Sequence, residues 1–437
     1  MRQLFGTDGI RGKARQYPLD EPTLIRLGYA LAKRFPGKVL LGRDTRESGA
    51  MIAGALAAGL KAGGAQPVAV GVIPTPGIAW LCRTTDDAVA AISISASHNP
   101  WEDNGVKIFG HDGMKLPDRI ELEIEQDLER VDIGAQTSTE NDEESPELIE
   151  AYERFLISGI PPAALKGRKV VLDVGHGAAY RIAPEVFRRV GADVVVIHDA
   201  PDGRNINENA GAMHPERLAE VVVEQQADYG VAFDGDADRA IFADDAGKIR
   251  DGDEIIYLWA KHLKLPLVVT TVMSNFGFEK QLQADGIELL RAQVGDKYVL
   301  EQMLERDALL GGEQSGHIID RTVHTTGDGI HTAVVFGSIL AEMGQPFSKL
   351  HTFDPMPQLL LNEKVASKPP LESLPKYQEA HAAALRQLDG KGRILVRYSG
   401  TENLVRVMVE GEDDTLIRRI AEELRGVLKE EIDDVSS

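Results

Sequence analysis

The chain has 437 residues, of which 43% are hydrophobic and 27% charged, a composition that fits a folded globular protein and excludes a disordered or fibrous one. This length exceeds what one hydrophobic core normally organises, so we expect several domains. With 48 Lys and Arg against 69 Asp and Glu, the formal charge of -21 argues against nucleic-acid and anionic-membrane partners, and a phosphate ligand would need a locally basic pocket.

The cellular location is indicated by the single cysteine and by the N-terminal residues. Cys82 excludes an internal disulfide framework, fits a reducing compartment and is expected to be a small buried residue. Asp8 and Arg11 stand where a signal peptide needs apolar residues, and no run approaches the roughly eighteen apolar residues of a membrane span. We therefore predict a cytoplasmic protein, either a monomer or a homodimer.

Short β-branched runs alternate with amphipathic segments along the chain, which predicts parallel sheets flanked by helices, an α/β fold. One βαβ unit is expected from residues 170–174 through a helix that ends near Gly191 to a second strand at 194–197. Similar strands that open into loops are expected within 39–44, 91–95, 231–236 and 267–274. Acidic runs at 121–130, 140–144 and 430–434 are typical of solvated faces and chain ends.

Proline and glycine residues divide the chain into four predicted domains. The last one has two strand-like runs around a Ser-Gly-Thr turn and a helix from about Asp414, which indicates a small α+β domain. The predicted boundaries are 1–160, 161–252, 253–355 and 356–437.

The first candidate motif is ISISASHNPWEDNGVKIF at residues 92–109. A strand runs into a cluster of Ser, His, Asn, Pro and Gly that cannot continue it, so the serine hydroxyls are presented at a loop. Taken alone, the pattern is more typical of an ordinary polar turn, and a nucleophilic serine would need further partners.

The second motif is VAFDGDADR at residues 231–239, where Asp234, Asp236 and Asp238 follow an apolar strand. Clustered carboxylates repel one another unless a hard cation or solvent compensates them, and oxygen ligands suit magnesium or calcium. An EF-hand is excluded because Arg239 and Asp245 stand where that loop needs Gly and Glu. Magnesium is the favoured ligand, and a solvated acidic turn is the alternative.

The third motif is LGGEQSGHII at residues 310–319. Its glycines permit close backbone approach, while Glu313, Ser315 and His317 offer groups suited to sugar hydroxyls. A plain glycine-rich turn explains the motif equally well when it stands alone.

The fourth motif is RYSGTENLVR at residues 397–406. Arginine suits bidentate phosphate recognition, and successive backbone N–H groups can form an anion nest. A β-hairpin turn is compatible with such a site. The candidate phosphate ligands are Arg397, Ser399, Gly400, Thr401 and Arg406.

Other catalytic signatures are absent from the sequence. It contains no GxxxxGKS/T phosphate loop, no GxGxxG fingerprint, no HExxH zinc helix and no GxSxG elbow. Nucleotide-dependent kinase chemistry therefore loses support.

Together, the four motifs resemble those of the α-D-phosphohexomutases in order and spacing. The resemblance extends over essentially the whole chain and includes FGTDGIRG at residues 5–12 and the segments GRDTR, TPG, NINENAG, TTVMSN, VGDKYVLE and TTGDG. It implies three related α/β domains with mixed sheets flanked by helices, and a smaller C-terminal α+β domain, around a central cleft.

The resemblance also implies roles for single residues. Ser97 would be a phosphoserine, and its phosphoryl oxygen would hold Mg²⁺ together with Asp234, Asp236 and Asp238. The residues that would line the reacting end and assist proton or phosphoryl transfer are Arg11, Lys107, Arg239 and His317. Glu313 and Ser315 would grip sugar hydroxyls. The non-reacting phosphate would be held by Arg397, Ser399, Gly400, Thr401 and Arg406.

Within the family, EQ before SGH, the opening FGTDGIRG and the SGTEN turn resemble the branch that acts on glucosamine phosphates. That branch interconverts glucosamine 6-phosphate and glucosamine 1-phosphate through a sugar bisphosphate and supplies the UDP-N-acetylglucosamine pathway. The alternatives are a mannose or glucose phosphate mutase, a magnesium-dependent sugar phosphatase and a non-catalytic sugar-phosphate sensor. His176 departs from the branch's usual Cys-Ala-Asn-Gly arrangement but lies outside the four motifs.

Overall fold

The computed structural model describes residues 4–6, 8–131, 144–399 and 403–436. They group into two compact units. The first covers Met1–Thr271 and Leu290–His351, and the second covers Val272–Leu289 and Thr352–Ser437. The predicted domain boundaries remain a prediction. Across the described ranges, no helix combines the length and apolarity that are needed to cross a membrane.

The N-terminal sheet of the first unit carries the serine motif. Its strands are β1 (Phe5–Gly6), β2 (Gly9–Lys13), β3 (Lys38–Arg43), β4 (Gln66–Val72), β5 (Ala88–Ile94) and β6 (Asp103–Gly110). Their order is β1-β2-β6-β5-β3-β4, with β3 parallel to β4 and β5, and β6 antiparallel to β5 and β2. The sheet is therefore mixed, as the family resemblance implies, and the parallel sheet expected from the pattern of runs is wrong here, because the chain after the serine loop turns back along β5.

Helices of this region are α1 (Glu21–Arg34), α2 (Gly49–Gly63), α3 (Thr75–Thr84), α4 (Asp118–Arg130) and α5 (Pro146–Leu156). An apolar cluster with members such as Leu56, Ile92 and Ile124 packs α1, α2 and α4 against the sheet. Helices α1 and α2 pack closely at Gly59, where an added Cβ would lie 2.0 Å from the carbonyl oxygen of Ile25. This close approach requires a residue without a side chain.

The middle sheet of the first unit carries the aspartate motif. Its strands are β7 (Lys169–Asp173), β8 (Asp193–Ile197), β9 (Tyr229–Phe233), β10 (Ala240–Asp244) and β11 (Ile249–Arg250). The order is β11-β10-β9-β7-β8, and α6 (Ala179–Arg189) and α7 (Glu216–Glu224) belong to the same region. The predicted βαβ unit is confirmed, since β7 and β8 form a parallel pair and α6 connects them in the chain. The apolar run before the aspartates ends at Phe233, which leaves the carboxylates in the β9–β10 loop.

The third sheet carries the glycine-rich motif. Its strands are β12 (Leu267–Thr271), β13 (Glu288–Ala292), β14 (Leu310–Gly312) and β15 (Ile318–Asp320), in the order β13-β12-β14-β15. The helices of this part of the chain are α8 (Gly252–Leu263), α9 (Phe276–Ala284), α10 (Asp296–Arg306) and α11 (Gly329–Met343), and α9 belongs to the second unit. The motif joins β14 to the antiparallel β15.

The second unit is a small α+β structure, as predicted. Strands β16 (Gln358–Lys364), β17 (Gly392–Tyr398) and β18 (Leu404–Gly411) form an antiparallel sheet in the order β16-β18-β17. Helices α12 (Pro375–Leu388) and α13 (Asp414–Ser436) follow β16 and β18, respectively. Alternate residues of β18, from Val405 to Val409, pack in one core with apolar residues of α13 such as Leu424.

The prediction that the acidic runs are solvated is wrong at three glutamates, Glu121, Glu125 and Glu431, which are buried. Residues 140–143 of the middle run lie outside the described residues. Glu125 is buried, and its carboxylate accepts hydrogen bonds from the N–H groups of Leu4 and Phe5, both at 2.8 Å. Glu431 is buried as well and accepts from two backbone N–H groups at the start of α12. Cys82 is buried, as expected.

Candidate active site

Ser97 lies in the loop that follows β5 and is 1% exposed. Its hydroxyl donates to Oδ2 of Asp234 at 2.7 Å, and Nδ1 of His98 lies 3.2 Å from the same hydroxyl oxygen. The structure thus joins the serine motif and the aspartate motif, which are 137 residues apart in the sequence.

Asp234, Asp236 and Asp238 form one buried cluster in the β9–β10 loop. Each offers a carboxylate oxygen, and these oxygens all lie within 4.8 Å of one another. Burial and the neighbouring carboxylates raise the pKa of Asp234 well above its ordinary value. Burial acts in the same direction on Asp238, but the charges of His317 and Lys107 hold its pKa below the usual range.

The cluster fits a hard divalent cation. Oδ1 of Asp236 and Oδ1 of Asp238 are buried and have no hydrogen-bond partner within the described part of the chain. Buried carboxylate oxygens without a partner are costly, and a donor set of oxygens alone is what Mg²⁺ or Ca²⁺ prefers. The three aspartates are therefore the residues that could hold a metal ion.

Lys107, on β6, is buried beside this cluster. Its ammonium group lies 2.9 Å from Oδ2 of Asp236 and 3.2 Å from Oδ2 of Asp8. Burial lowers the pKa of a lysine, but these two carboxylates reverse the effect and raise the pKa of Lys107 above its ordinary value. Arg11, on β2, also pairs with Asp8. Lys107 is therefore a fixed positive charge at the metal cluster.

Arg239 and His317 are further neighbours of Asp238. The backbone N–H of Arg239 donates to Asp234 at 3.2 Å, and its Nε lies 3.8 Å from Oδ1 of Asp238. His317 has Nδ1 at 3.5 Å from Asp238 and Nε2 at 3.7 Å from Asp296.

Two influences act on the proton of the His317 ring. Burial opposes its charge, but Asp238 and Asp296 raise the pKa of His317 to about 9. The N–H of Gly327 donates to Nε2 at 3.0 Å, a bond that favours an unprotonated Nε2. His317 thus has partners for both of its protonation states, as an acid or a base requires.

Glu313 and Ser315 occupy the turn between β14 and β15. Ser315 is exposed and Glu313 partly exposed, and the backbone N–H of Gly295 donates to Glu313 Oε1 at 3.2 Å. Gly316 has φ +90°, and a Cβ there would lie 2.3 Å from the carbonyl oxygen of Ala240. Only glycine fits this turn against the end of the aspartate loop.

The candidate phosphate ligands belong to the second unit. Arg397 on β17 and Arg406 on β18 are directly opposite each other, and Lys368 donates to the carbonyl of Ser399 at 2.7 Å. Burial and the charge of Arg406 lower the pKa of Arg397. Opposed like charges destabilise a sheet unless an anion joins them. Gly400 and Thr401 lie outside the described residues.

Several residues at the site were not assigned a role from the sequence alone. They come from segments that carried the family resemblance: Asp8 pairs with Lys107, Thr75 donates to Asp236 at 2.7 Å, and Asp296 neighbours His317. The backbone of Ser97 is held by side chains of GRDTR and NINENAG. The recurrence of these segments in the family was the available signal, but it does not say what each residue contacts.

Comparison with family models gives matches along nearly the whole chain. They are to the models of phosphoglucomutase/phosphomannomutase alpha/beta/alpha domain I at residues 2–133, domain II at 149–247, domain III at 251–355 and the C-terminal domain at 360–427.

Two curated relatives of similar length carry the same name. The chain is 46% identical over 446 residues to a phosphoglucosamine mutase of Solibacter usitatus, with 99% of each chain covered. It is 46% identical over 451 residues to a phosphoglucosamine mutase of Symbiobacterium thermophilum, covering 99% of this chain and 100% of the relative.

Solved structures support the fold. A phosphoglucomutase/phosphomannomutase family protein of Burkholderia thailandensis aligns with a TM-score of 0.80 at 24% identity, over 97% of each chain. An Aspergillus fumigatus N-acetylphosphoglucosamine mutase in complex with GlcNAc-6P and magnesium aligns with a TM-score of 0.64 at 20% identity, over 90% of this chain and 82% of the other.

Proposed function

Because the chain belongs to the phosphoglucomutase/phosphomannomutase family, we propose that it interconverts glucosamine 6-phosphate and glucosamine 1-phosphate, as a phosphoserine enzyme that depends on Mg²⁺. The observation that carries the chemistry is the hydroxyl of Ser97, buried at 2.7 Å from an aspartate of the carboxylate cluster. The name shared by the full-length relatives supports the choice of substrate.

The proposed reaction exchanges the position of a phosphoryl group. Phosphorylated Ser97 gives its phosphoryl group to the free hydroxyl of the hexosamine phosphate. The Oγ–P bond breaks and Oγ takes up a proton, while an O–P bond forms at the sugar and the proton of the sugar hydroxyl passes to a base of the site. The resulting bisphosphate turns over, its other O–P bond breaks and the Oγ–P bond of Ser97 forms again; the serine hydroxyl gives its proton to a base, and the leaving sugar oxygen takes up a proton.

The charges of the site have separate tasks in this proposal. A magnesium ion held by Asp234, Asp236 and Asp238 would neutralise charge on the transferring group. Lys107 supplies positive charge that does not need to be reorganised during transfer, since Asp236 and Asp8 hold it in place. Arg11 and Arg239 add to it.

Proton transfer and substrate binding are assigned to other residues. His317 is the candidate acid or base because both of its protonation states have partners. Glu313 and Ser315 would bind sugar hydroxyls. The non-reacting phosphate would be bound by Arg397, Ser399, Gly400, Thr401 and Arg406. The opposed guanidinium groups of Arg397 and Arg406 favour an anion there.

Conversion of glucosamine 6-phosphate, assayed with Mg²⁺ and a trace of sugar bisphosphate, tests the proposal. We expect wild type to be active and Ser97→Ala to be inactive. The matched control is Ser158→Ala, because this exposed serine donates only to the carbonyl of Phe155 and should leave activity unchanged.

Other outcomes would redirect the proposal. A wild-type enzyme that isomerises mannose or glucose phosphates but not glucosamine phosphates would overturn the substrate and keep the chemistry. Release of inorganic phosphate as the main product would indicate a phosphatase. Tight binding of the sugar phosphate without turnover would indicate a sensor.

A further inference from the structure

The backbone of Ser97 has a conformation that needs support. Its φ is +52°, in the left-handed region that residues with a Cβ rarely adopt. Such a conformation persists only where the surrounding structure over-determines it, and it is frequent at functional sites. The direction of the hydroxyl toward Asp234 depends on it.

The carbonyl group of Ser97 is held by two side chains from different loops. Nη2 of Arg46 and Nδ2 of Asn207 both donate to this oxygen at 2.9 Å, and both also donate to the carbonyl of Asn99, at 2.8 and 3.2 Å. A Cβ on Gly235 would lie 2.6 Å from the same oxygen of Ser97. Gly235, between Asp234 and Asp236, therefore lets the β9–β10 loop approach the carbonyl group of Ser97 closely.

The N–H group of Ser97 is held by the same network. It donates to Oγ of Ser95 at 2.9 Å, and the Ser95 hydroxyl donates to Oδ2 of Asp44 at 2.6 Å. Asp44 in turn accepts from the backbone N–H of Arg46 at 3.0 Å and from its Nε at 2.9 Å. Both peptide groups of Ser97 are thus tied to one buried ion pair.

Arg46 has no donor directed at a ligand. Nε donates to Asp44, Nη2 donates to two carbonyls of the serine loop, and Nη1 donates to the carbonyls of Pro100 and Asp103. The side chains of Arg46 and Asp44 are both 0% exposed. This guanidinium is therefore unlike those that bind phosphate: its donors hold the serine loop, the first residue of β6 and Asp44.

We propose that Arg46 and Asn207 are positioning residues that clamp the backbone of Ser97 in its left-handed conformation and thereby set the direction of its hydroxyl for phosphoryl transfer. This inference rests on the proposed phosphoserine chemistry. A clamp of this kind changes the rate of transfer and leaves substrate binding intact, because neither side chain has a donor available for the sugar.

The test compares Asn207→Ala with Asn205→Ala. Asn205 lies in the same loop, but its side-chain amide bonds the backbone of Ala200 and Asp202 within that loop, which makes it a matched control. We expect Asn207→Ala to lower kcat by about 10- to 100-fold with KM within about threefold of wild type. Asn205→Ala should stay within about twofold in both. Equal loss of kcat in the two variants would overturn the inference.

A second measurement separates positioning from folding and from the choice of substrate. The rate at which a sugar bisphosphate phosphorylates Ser97 is followed by intact mass, for wild type, Asn207→Ala, Ser95→Ala and Arg46→Lys. Slower charging in the variants that keep the melting temperature of wild type supports the clamp. Ser95→Ala decides the question if the other two do not fold.

The two proposals fail in different ways. Variants that are charged as fast as an active wild type would overturn the clamp and leave the mutase proposal standing. A wild-type enzyme that is charged but does not isomerise glucosamine phosphates would overturn only the substrate. A wild-type enzyme that is never charged on Ser97 would overturn both.

Discussion

Replacing Lys107 with Met would remove a buried positive charge from the carboxylate cluster at nearly constant volume. The side chains of Lys107 and Asp236 are each 1% exposed and lie 2.9 Å apart, and Asp8 is the second partner at 3.2 Å. Loss of the ammonium group would remove a positively charged partner from both carboxylates. Asp236 would then be a buried anion with Thr75 as its remaining side-chain donor.

The size of the effect follows from this burial. Breaking a buried ion pair from one side costs about 3–5 kcal/mol, because the remaining charge stays desolvated. We therefore expect Lys107→Met to lose about that much free energy of unfolding when no divalent ion is present. Mg²⁺ should bind the variant more tightly, since one positive charge has left its site, and saturating Mg²⁺ should restore part of the loss.

Urea denaturation followed by tryptophan fluorescence measures this directly. All three tryptophans, Trp80, Trp101 and Trp259, belong to the first unit, so the signal reports on the unit that contains Lys107. Lys297→Met is the control, because Lys297 and its partner Asp118 are 30% and 55% exposed and should contribute no more than about 1 kcal/mol. Equal stability of Lys107→Met and wild type in EDTA, or a loss that Mg²⁺ leaves unchanged, would refute the reasoning.

Three further predictions concern stability and the sugar loop. Burial lowers the pKa of His324 to about 3 from 6.5. The neutral imidazole therefore contributes its full stability above pH 6.5, and that contribution is lost as the pH falls toward 3. In urea denaturation, the free energy of unfolding of wild type relative to His324→Gln should drop by about 1.4 kcal/mol between pH 7.5 and 5.5. Gly316→Ala should lower the free energy of unfolding by at least about 1–3 kcal/mol and should also reduce kcat/KM. Gly426 lies on α13 with open space around it, so Gly426→Ala should raise the free energy of unfolding by about 0.5–1 kcal/mol, as measured by calorimetry. Glu125→Ala should lower the free energy of unfolding by about 2 kcal/mol, because the N–H groups of Leu4 and Phe5 lose their acceptor. Glu129 is exposed, so Glu129→Ala should leave the free energy of unfolding nearly unchanged in the urea denaturation assay.

Much of the fold was predictable because its signals are local. Periodicity and β-branched runs indicated β7, α6, β8 and the antiparallel pair of β17 and β18. The antiparallel strands of the first sheet were not apparent from these runs, since β6 reads as another apolar strand and only pairing shows its direction. The buried state of Glu125 was also missed, because a carboxylate on an acidic helix looks solvated until the backbone that it bonds is known.

Part of the candidate site could be predicted for a similar reason. Residue type and position after a strand indicated a serine loop and a cation site at the three aspartates, and the family resemblance singled out Ser97. The structure brings Ser97 and the aspartates together. The supporting residues required contacts that the sequence does not contain. Asp8 meets Lys107 across about a hundred residues, and Arg46 and Asn207 reach the same carbonyl from opposite sides of Ser97 in the sequence.

By itself, the sequence determined which groups are available and which strands and helices carry them. The chemistry of serine, aspartate and arginine is a property of each residue, and helix or strand periodicity is a property of neighbours. Tertiary structure alone decided which charges are buried and paired, because burial and pairing depend on residues far apart in the chain. It made Lys107 a fixed cation, left two carboxylate oxygens suited to a metal ion and held Ser97 in a left-handed turn.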